Sequence, residues 1–473
     1  MTQWAWGALL FAGFPLLAQT PPAERTKLFA EMDVRASRFG DLSRQIWEFA
    51  EVQFQETKSA ALLRDELAKN GFRIRDRIGG MDTAFIAEWG QGKPVIAILG
   101  EYDALPGLSQ DTVPERRPLV EGASGHGCGH NLFGSASAFA TVMVKEHLES
   151  HKMSGTVRFY GTPAEEGGGG KIFMIRAGAF QDVDAALVWH PWDRSAADNQ
   201  SWLSNISAKV RFYGRAAHAA AAPEAGRSAL DAVEVMTHAV NLMREHVPQE
   251  TRMHYIITRG GAAANIVPDF AELSIIVRHP DVKTLEGLWE RVMNCAQAGA
   301  MATETRVQIE VTSSYANYLP NDTLLSIIDR NLHTVGGITY TAEERAFAEA
   351  LQKTFTGTPP PVDNAARIEP PKTSLLSAST DVGDVSWVVP TGQFVGATWV
   401  PGTAAHSWQS TATSGMSIGR KGMVLAAKTM ALSALDLFYD PAQVTAAKAS
   451  FEQRKGGLTY RSLLPEGRKP APR

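Results

Sequence analysis

Three short runs rich in apolar residues set the strongest limit on what this chain can fold into. They lie at 95–99 (VIAIL), 157–160 (VRFY) and 185–189 (AALVW), and they are rich in β-branched and aromatic residues. Such runs are typical of strands that are buried on both faces of a sheet. Helical patterns such as 132–148 separate them. The alternation predicts an α/β fold with a parallel-rich central sheet flanked by helices.

The pattern changes in the middle of the chain. Residues 206–212 (ISAKVRF) and 271–277 (AELSIIV) alternate apolar and polar side chains, as strands do when one face is solvated. Amphipathic helical patterns at 228–244 and 285–300 complete a small inserted α+β sandwich. The predicted division is a first part of the α/β domain at 23–204, the inserted domain at 205–313, a second part of the α/β domain at 314–455, and a polar, poorly ordered tail at 456–473.

The N-terminus differs from the rest of the chain. Residues 4–18 (WAWGALLFAGFPLLA) form an apolar run that fits the central region of a signal peptide but is short for a membrane span. We therefore expect residues 1–22 to be a signal peptide and the protein to be periplasmic or secreted, with a cytoplasmic location as the alternative. A helical region is predicted at 26–70, and 356–371 is predicted to be a Pro-rich loop. No later stretch predicts a stable membrane span.

Charge and cysteine content narrow the classes of function. The net charge is -4 and the basic residues are scattered, so nucleic acid is not an expected partner. The two cysteines, Cys128 and Cys295, are enough for one disulfide in an exported protein. The neighbours of Cys128 favour a different role for that residue.

Four segments concentrate the residues that carry chemistry, and three of them directly follow a predicted strand. They are GEYDALP at 100–106, GHGCGHN at 125–131, TPAEEGGGG at 162–170 and VWHP at 188–191. The carboxyl ends of strands in an open α/β sheet are where ligands bind. Each segment alone has an ordinary structural explanation, such as a turn capped by Asp103. Their occurrence together favours one shared site.

The donors in these segments suit metal ions. Cys128 and His130 offer thiolate and imidazole, which Zn²⁺ prefers, and the glycines around them allow both side chains to converge. Glu165 and Glu166 are neighbours whose side chains point in different directions, so one can bind metal while the other acts as general base. With His190 and a distant histidine, the set predicts two divalent metal ions. Zn²⁺, Mn²⁺ and Co²⁺ all remain open.

The same segments resemble a known family. With the segments at 214–232 (GRAAHAAAAPEAGRSALDA) and 265–279 (NIVPDFAELSIIVRH) and the late His406, they are similar to the aminoacylase and carboxypeptidase G-type metallopeptidases. The similarity is greatest to the amidohydrolase branch, which cleaves N-acyl amino acids. The segments at 379–391 (STDVGDVSWVVPT) and 397–409 (ATWVPGTAAHSWQ) resemble the B-type subunits of aminobenzoyl-glutamate hydrolase, a group of that branch.

The resemblance implies a zinc-exopeptidase-like catalytic domain with a dimerisation lid, and a role for each matching residue. The implied metal ligands are Cys128, His130, Glu166, His190 and His406, with Glu165 as general acid and base. Asp103 matches an aspartate near the metals and is counted among the candidate catalytic residues. The inserted domain at 205–313 is the implied lid, and there His218 matches a histidine that reaches the active site of a partner subunit and stabilises the oxyanion. Asn265 and Arg278 match positions that hold the carboxylate of the substrate. A homodimer through the lid is implied, alone or with a second, related subunit.

The leading hypothesis is a metal-dependent hydrolase of the amide bond in N-acyl amino acids, with substrates like p-aminobenzoyl-glutamate. A dipeptidase or N-acetyl amino acid deacetylase is the alternative enzyme, and a non-catalytic scaffold subunit is the alternative from another class. One departure is that many relatives have histidine where this chain has Glu101. Tryptophans near the motifs could stack on an aromatic acyl group, although core packing also explains such residues. They are Trp192, Trp202, Trp387, Trp399 and Trp408.

Overall fold

The structure, a computed structural model, describes residues 19–376 and 378–471. The helices are α1 (Pro22–Phe49), α2 (Thr57–Lys69), α3 (His130–Ser150), α4 (Gly170–Arg176), α5 (Ala229–Met243), α6 (Val282–Ala302), α7 (Asp322–Val335), α8 (Ala342–Gln352), α9 (Val382–Ser386), α10 (Trp408–Ser414), α11 (Ser417–Tyr439) and α12 (Pro441–Lys455). The strands are β1 (Arg73–Asp76), β2 (Phe85–Gln91), β3 (Val95–Gly100), β4 (Gly155–Gly161), β5 (Ala185–Trp192), β6 (Ser195–Asp198), β7 (Ser201–Trp202), β8 (Ser204–Tyr213), β9 (Arg252–Arg259), β10 (Phe270–His279), β11 (Arg306–Tyr315), β12 (Ile368–Lys372), β13 (Leu375–Leu376) and β14 (Thr391–Ala397).

Eight strands form the central sheet, in the order β1-β2-β4-β3-β5-β14-β6-β12. Its middle strands β4, β3, β5 and β14 are parallel to one another, while β6 runs antiparallel to β14. Helices α1, α3, α7 and α11 pack around the sheet, and β3 is buried along its whole length. The parallel-rich α/β architecture predicted from the apolar runs is confirmed.

Helix α11 is a core helix of this domain. In the described part of the chain it is the one helix long and apolar enough to cross a membrane, with a mean hydropathy of 1.3. However, 83% of its most apolar window is buried inside the fold. Its apolar surface is therefore used for packing against α3 and the central sheet.

A second sheet, β11-β8-β10-β9, is antiparallel throughout and has a hydrophobic core of its own. Helices α5 and α6 pack against each other and against this sheet. Burial alternates residue by residue along β10, which fits the alternating pattern seen in the sequence. Cys295 packs against this core and, like Cys128, is a free thiol, so the two form no disulfide. At the sheet edge, β9 exposes Ile256 and Ile257.

The predicted helical region at 26–70 is two helices. Helix α1 ends where Ala50 takes up a left-handed conformation with φ of 42°. The next residue, Glu51, uses its carboxylate to accept backbone hydrogen bonds from Lys58 and Ser59, at 3.0 and 2.9 Å. These bonds satisfy amides in the first turn of α2, which otherwise lack partners, so a second helix start is stable here.

Two segments predicted to be irregular are ordered. Part of the Pro-rich segment forms β12, which lies at the edge of the central sheet, where proline is tolerated because no outer neighbour needs its amide. The tail packs onto the protein instead of extending into solvent. Leu464 is buried, and the Tyr460 hydroxyl donates a hydrogen bond of 2.7 Å to Asp384. Arg468 also pairs with Glu310, so apolar, aromatic and charged side chains all hold this polar segment.

The predicted signal peptide falls mostly on residues 1–18, which lie outside the described residues. Export therefore stays a prediction. Thr20 is buried, and its backbone amide and hydroxyl donate hydrogen bonds of 2.8 and 2.9 Å to Asp436. Cleavage after Ala18 would keep this anchor, whereas cleavage after Pro22 would remove it.

Candidate metal centre

The carboxyl ends of β3, β4 and β5 meet at one edge of the central sheet and bring the predicted donor segments together. Cys128 lies in the glycine-rich turn before α3, and His406 lies in the loop between β14 and α10. The backbone amide of His406 donates a hydrogen bond of 3.0 Å to the carbonyl oxygen of Gly127. His406 itself is left-handed, with φ of 56°. The two loops are therefore tied to each other at the site.

Five predicted ligands form two triplets that share Cys128. In one triplet, ligand atoms of Cys128, His130 and His190 lie within 4.8 Å of one another. In the other, those of Cys128, Glu166 and His406 do the same. Cys128 Sγ is 3.4 Å from His190 Nε2, and Glu166 Oε1 is 3.4 Å from His406 Nε2. One thiolate between two triplets is an arrangement that can hold a pair of ions.

Several buried atoms of the predicted site lack hydrogen-bond partners, and this fits the binding of cations. His130 Nε2 lies 3.1 Å from Glu101 Oε2, but within the described residues neither atom makes a hydrogen bond. Glu166 Oε1 is also buried without a hydrogen-bond partner there. Buried polar atoms normally have hydrogen-bond partners, so nitrogen and oxygen atoms that converge to 3.1–3.4 Å without hydrogen bonds fit metal coordination. The residues present fit the two ions that the sequence predicts.

Asp103 lies behind the donors rather than facing the substrate. One carboxylate oxygen is 2.9 Å from His130 Nδ1, and the other accepts the backbone N–H of Glu166 at 2.8 Å. Its side chain is fully buried. A carboxylate bonded to one ring nitrogen of a histidine fixes the tautomer and leaves the other nitrogen for a metal. The sequence placed Asp103 among the catalytic residues, but its position is that of a positioning residue.

Burial and neighbouring charges shift the pKa values of the side chains at the site. Burial and nearby carboxylates raise the pKa of Glu165 well above its usual value. Burial and the charge of Glu166 raise the pKa of the Cys128 thiol. Burial and the positive charge of His130 lower the pKa of His190 to about 3. The imidazole of His190 is therefore neutral, whereas the Cys128 thiol would have to lose a proton before it could bind a cation.

A buried charge cluster beside the donors was missed by the sequence analysis. Lys171 Nζ donates hydrogen bonds of 2.7 Å to both Glu101 and Asp381, and all three side chains are at most 1% exposed. Burial opposes the charge on Lys171, but Asp381 and Glu101 outweigh it and raise its pKa. The cluster fixes Glu101, whose other oxygen faces His130. The sequence signal for this cluster is the position of Lys171 directly before the apolar run IFMI at 172–175, where a charged side chain is unusual.

We expect Lys171→Met to lower the free energy of unfolding by about 3–5 kcal/mol, because two carboxylates are left buried without their cation. The measurement is chemical denaturation of both proteins under the same conditions. Lys372→Met, which removes an exposed lysine paired with Glu369, is the matched control and should cost less than about 1 kcal/mol. Equal stability of the two variants would contradict the role given to Lys171.

A cavity of about 180 Å³ opens beside the two triplets, and Glu165 contributes to its wall. The wall is largely aromatic, with Phe133, Trp189, Trp192, Trp202 and Phe394. Trp192 and Trp202 are thus placed to contact an apolar substrate group. The other tryptophans considered for stacking are outside the lining, and Trp399 is a fully buried core residue.

The three predicted lid residues do not line this cavity. His218 and Asn265 share an exposed corner of the lid, where the Ala219 amide donates a hydrogen bond of 3.0 Å to the Asn265 carbonyl. Arg278 is half-buried on β10, and no described residue accepts a hydrogen bond from its guanidinium. A single chain therefore does not bring these residues to the metal donors, and their roles stay predictions.

Comparisons with known proteins agree with this geometry. A family model described as the M20 peptidase dimerisation domain matches residues 204–304, which cover most of the lid. A dinuclear metal-binding peptidase of the M20 family from Bacillus subtilis shares the fold, with a TM-score of 0.58 at 18% identity over 85% of this chain and 98% of that one. The B-type subunit of p-aminobenzoyl-glutamate hydrolase from Escherichia coli (strain K12) is 40% identical over 92% of this chain and 96% of that protein. The chain belongs to the M20 family of metallopeptidases.

Another M20-type relative is the Xaa-Arg dipeptidase of Mus musculus, which is 32% identical over 89% of this chain and 90% of that protein. Both relatives are named for the hydrolysis of amide or peptide bonds. The family resemblance drawn from the motifs is confirmed. The chain is an M20-family hydrolase, and the scaffold alternative loses its support.

Proposed function

We propose that this M20-family hydrolase cleaves the amide bond of N-acyl amino acids at two divalent metal ions, with p-aminobenzoyl-glutamate as the reference substrate. The observation that carries the proposal is the pair of donor triplets that share Cys128 beside Glu165 and the aromatic cavity. The Escherichia coli relative is named for hydrolysis of that substrate. The Bacillus subtilis structure is described as dinuclear.

The proposed ligands are those of the two triplets. Cys128, His130 and His190 form one site, and Cys128, Glu166 and His406 form the other. The thiolate and imidazole donors favour Zn²⁺, and Mn²⁺ and Co²⁺ are the other candidates. When bound, the ions supply activation of a water molecule and polarisation of the scissile carbonyl.

Glu165 is the proposed general acid and base. It lines the cavity next to the donors and belongs to neither triplet with Cys128, although its carboxylate also lies within 4.8 Å of ligand atoms of His130 and Glu101. We assign it to the substrate because it lines the cavity wall. It accepts the proton of the attacking water and delivers it to the nitrogen of the leaving amine. The raised pKa of Glu165 suits a group that holds a proton between these two steps. Asp103 keeps His130 oriented throughout.

The lid residues are proposed to complete the site from a second copy of the chain. The match to a dimerisation domain, the exposed corner with His218 and Asn265, and the exposed Ile256 and Ile257 on an edge strand support a homodimer. A second, related subunit is the alternative, because the Escherichia coli relative is named as one of two kinds of hydrolase subunit. In this assembly His218 stabilises the oxyanion. Asn265 and the unpaired Arg278 hold the carboxylate of the amino acid.

A substrate screen with reconstituted protein tests the proposal. Metal-depleted protein is loaded with Zn²⁺, Mn²⁺ or Co²⁺ and assayed with p-aminobenzoyl-glutamate, N-acetyl amino acids and dipeptides that end in arginine. We expect p-aminobenzoyl-glutamate to be cleaved with at least one metal and not in the presence of a chelator. Failure to cleave any N-acyl amino acid with the three metals would reject the proposal. Preference for the dipeptides by more than about tenfold would select the dipeptidase alternative.

A further inference from the structure

The wall of the cavity holds polar side chains that amide hydrolysis does not use. Asp198, Trp202 and Gln393 line the same cavity as the metal donors and are 5%, 9% and 7% exposed. The rest of the wall away from the donors is mainly aromatic or aliphatic. Polar groups placed in a mainly apolar pocket fix the orientation and identity of a ligand.

The register of the central sheet fixes where these groups stand. Gln393 of β14 lies directly opposite Asp198 of β6, so the two side chains project from the same face as close neighbours. Two residues further along β14, Val395 lies opposite His190 of β5. Asp198 is therefore two strands across and two residues along from His190, about 12 Å from backbone to backbone. The cavity that both residues line can therefore span a group of benzoyl size between His190 and Asp198.

Hydrogen bonding at this end of the cavity is incomplete. Gln393 Nε2 and Trp202 Nε1 are buried and have no partner among the described residues. Asp198 Oδ1 accepts the backbone N–H of Gln200 at 2.8 Å, which closes a local turn. This bond occupies one oxygen of the carboxylate, and the other oxygen can interact with a ligand. Gln393 Nε2 and Trp202 Nε1 are donors and call for an acceptor, whereas the second oxygen of Asp198 is the acceptor at this end of the cavity that calls for a donor on the ligand.

The charges around the cavity decide which part of the substrate enters it. Among the described residues of its wall there is no lysine or arginine, whereas Asp198 adds a carboxylate. Arg194 and Lys372 lie outside the wall and favour the ionised form of Asp198. The Asp198 carboxylate would repel the carboxylate of an amino acid at this end of the cavity, and the unpaired Arg278 of the lid is its better partner. The acyl group is then the part that fills the cavity. Burial raises the pKa of Asp198 to about 6, so this carboxyl is largely ionised at neutral pH.

We propose that Asp198 is a specificity-determining residue that accepts a hydrogen bond from an amino group at the far end of the acyl group, with Gln393 beside it as a second polar contact. The inference rests on the proposed function and deepens it by naming the class of acyl group. Acyl groups with a terminal amino substituent, such as 4-aminobenzoyl, are selected over those without one. A site built to pair with a substrate N–H rejects the analogue that lacks it, because its own buried polar group is then left unpaired.

Asp198→Asn is the variant that isolates this contact. Asparagine keeps an oxygen for the Gln200 amide and nearly the same shape, so the local turn is preserved. It removes the negative charge and replaces one acceptor oxygen by a donor. Asp363→Asn is the matched control, because Asp363 is an exposed carboxylate that pairs with Arg345 and lies outside the cavity wall.

The measurement is the ratio of kcat/KM for N-(4-aminobenzoyl)-L-glutamate to that for N-benzoyl-L-glutamate. We expect the ratio to be at least about tenfold in the wild-type protein, to fall about tenfold or more in Asp198→Asn, and to be unchanged in Asp363→Asn. A purely structural role of Asp198 would lower both values together and leave the ratio unchanged. An unchanged ratio in Asp198→Asn, or a wild-type ratio near one, overturns the proposal.

Binding of the acyl fragments separates this inference from the proposed function. Calorimetric titration with 4-aminobenzoate and with benzoate requires no turnover. We expect 4-aminobenzoate to bind the wild-type protein at least about tenfold more tightly than benzoate, and this preference to disappear in Asp198→Asn. If neither glutamate conjugate is hydrolysed but the binding preference is present, the proposed function fails and the assignment of Asp198 stands. Equal binding of both acids to the wild-type protein overturns the assignment even if both conjugates are hydrolysed.

Discussion

Replacement of Glu165 by glutamine is expected to lower kcat for p-aminobenzoyl-glutamate by about 100- to 10,000-fold and to leave the metal content unchanged. Glutamine has nearly the same shape but cannot take a proton from water. Glu165 lies next to the donors and lines the cavity, while the five ligands of the two triplets are other residues. The measurements are steady-state kinetics and elemental analysis of the same preparation.

Glu166→Gln is the matched control for this variant, since it makes the same chemical change one residue away. Glu166 belongs to the triplet with Cys128 and His406. We expect Glu166→Gln to lose metal as well as activity, whereas Glu165→Gln loses activity alone. Wild-type turnover in Glu165→Gln, or equal loss of metal in both variants, would remove Glu165 from the role of general base.

Replacement of Cys128 by alanine is expected to abolish binding of both ions and to reduce activity below detection. Cys128 is the one residue that both triplets share, so its loss leaves two ligands at each position. His406→Ala should remove only one of the two sites, because His130 and His190 still form a triplet with Cys128. The measurement is the metal content per chain after dialysis against a weak chelator, by elemental analysis.

Cys295→Ala controls for the loss of a thiol, because Cys295 packs against the core of the lid, away from the donors. It should keep the full metal content and activity. The shared role of Cys128 is wrong if Cys128→Ala retains either ion with wild-type affinity. It is also wrong if His406→Ala loses as much metal as Cys128→Ala.

The donor cluster was predictable because parallel strands bring their carboxyl ends to one edge of the sheet. Apolar runs identified β3, β4 and β5, and the polar segments after them therefore had to converge. That reasoning located Glu166 and His190 without any knowledge of the registers, whereas Cys128 was found by the crowding of Cys, His and Gly at 125–131. The ligand set itself was completed by the family resemblance, which added His406 from the other end of the chain.

The charge cluster around Lys171 and the proposed contact at Asp198 could not be predicted from the sequence, for a different reason. Lys171 pairs with Glu101 and Asp381, which are 70 and 210 residues away along the chain. Asp198 and Gln393 become neighbours only through the antiparallel register of β6 and β14. No local spacing encodes such pairs. They follow from long-range strand order, which apolar patterning leaves undetermined.

The lid residues show another limit of what the sequence can predict. The resemblance assigned roles to His218 and Asn265, but in one chain both lie on an exposed corner away from the cavity. If these roles are correct, the active site belongs to an assembly rather than to a single chain. The role assigned to Asp103 also differs from the predicted one. Its carboxylate contacts His130 and accepts the Glu166 amide, so Asp103 positions these residues.

Titration of the metal-free protein tests the proposed two-metal hydrolase most directly. Zn²⁺, or the most active of the three metals, is added in steps, and hydrolysis of p-aminobenzoyl-glutamate is measured at each ratio of metal to chain. We expect activity to rise until about two ions are bound per chain and then to level off. Full activity without bound metal, or no activity with two ions bound, would contradict the proposed two-metal centre.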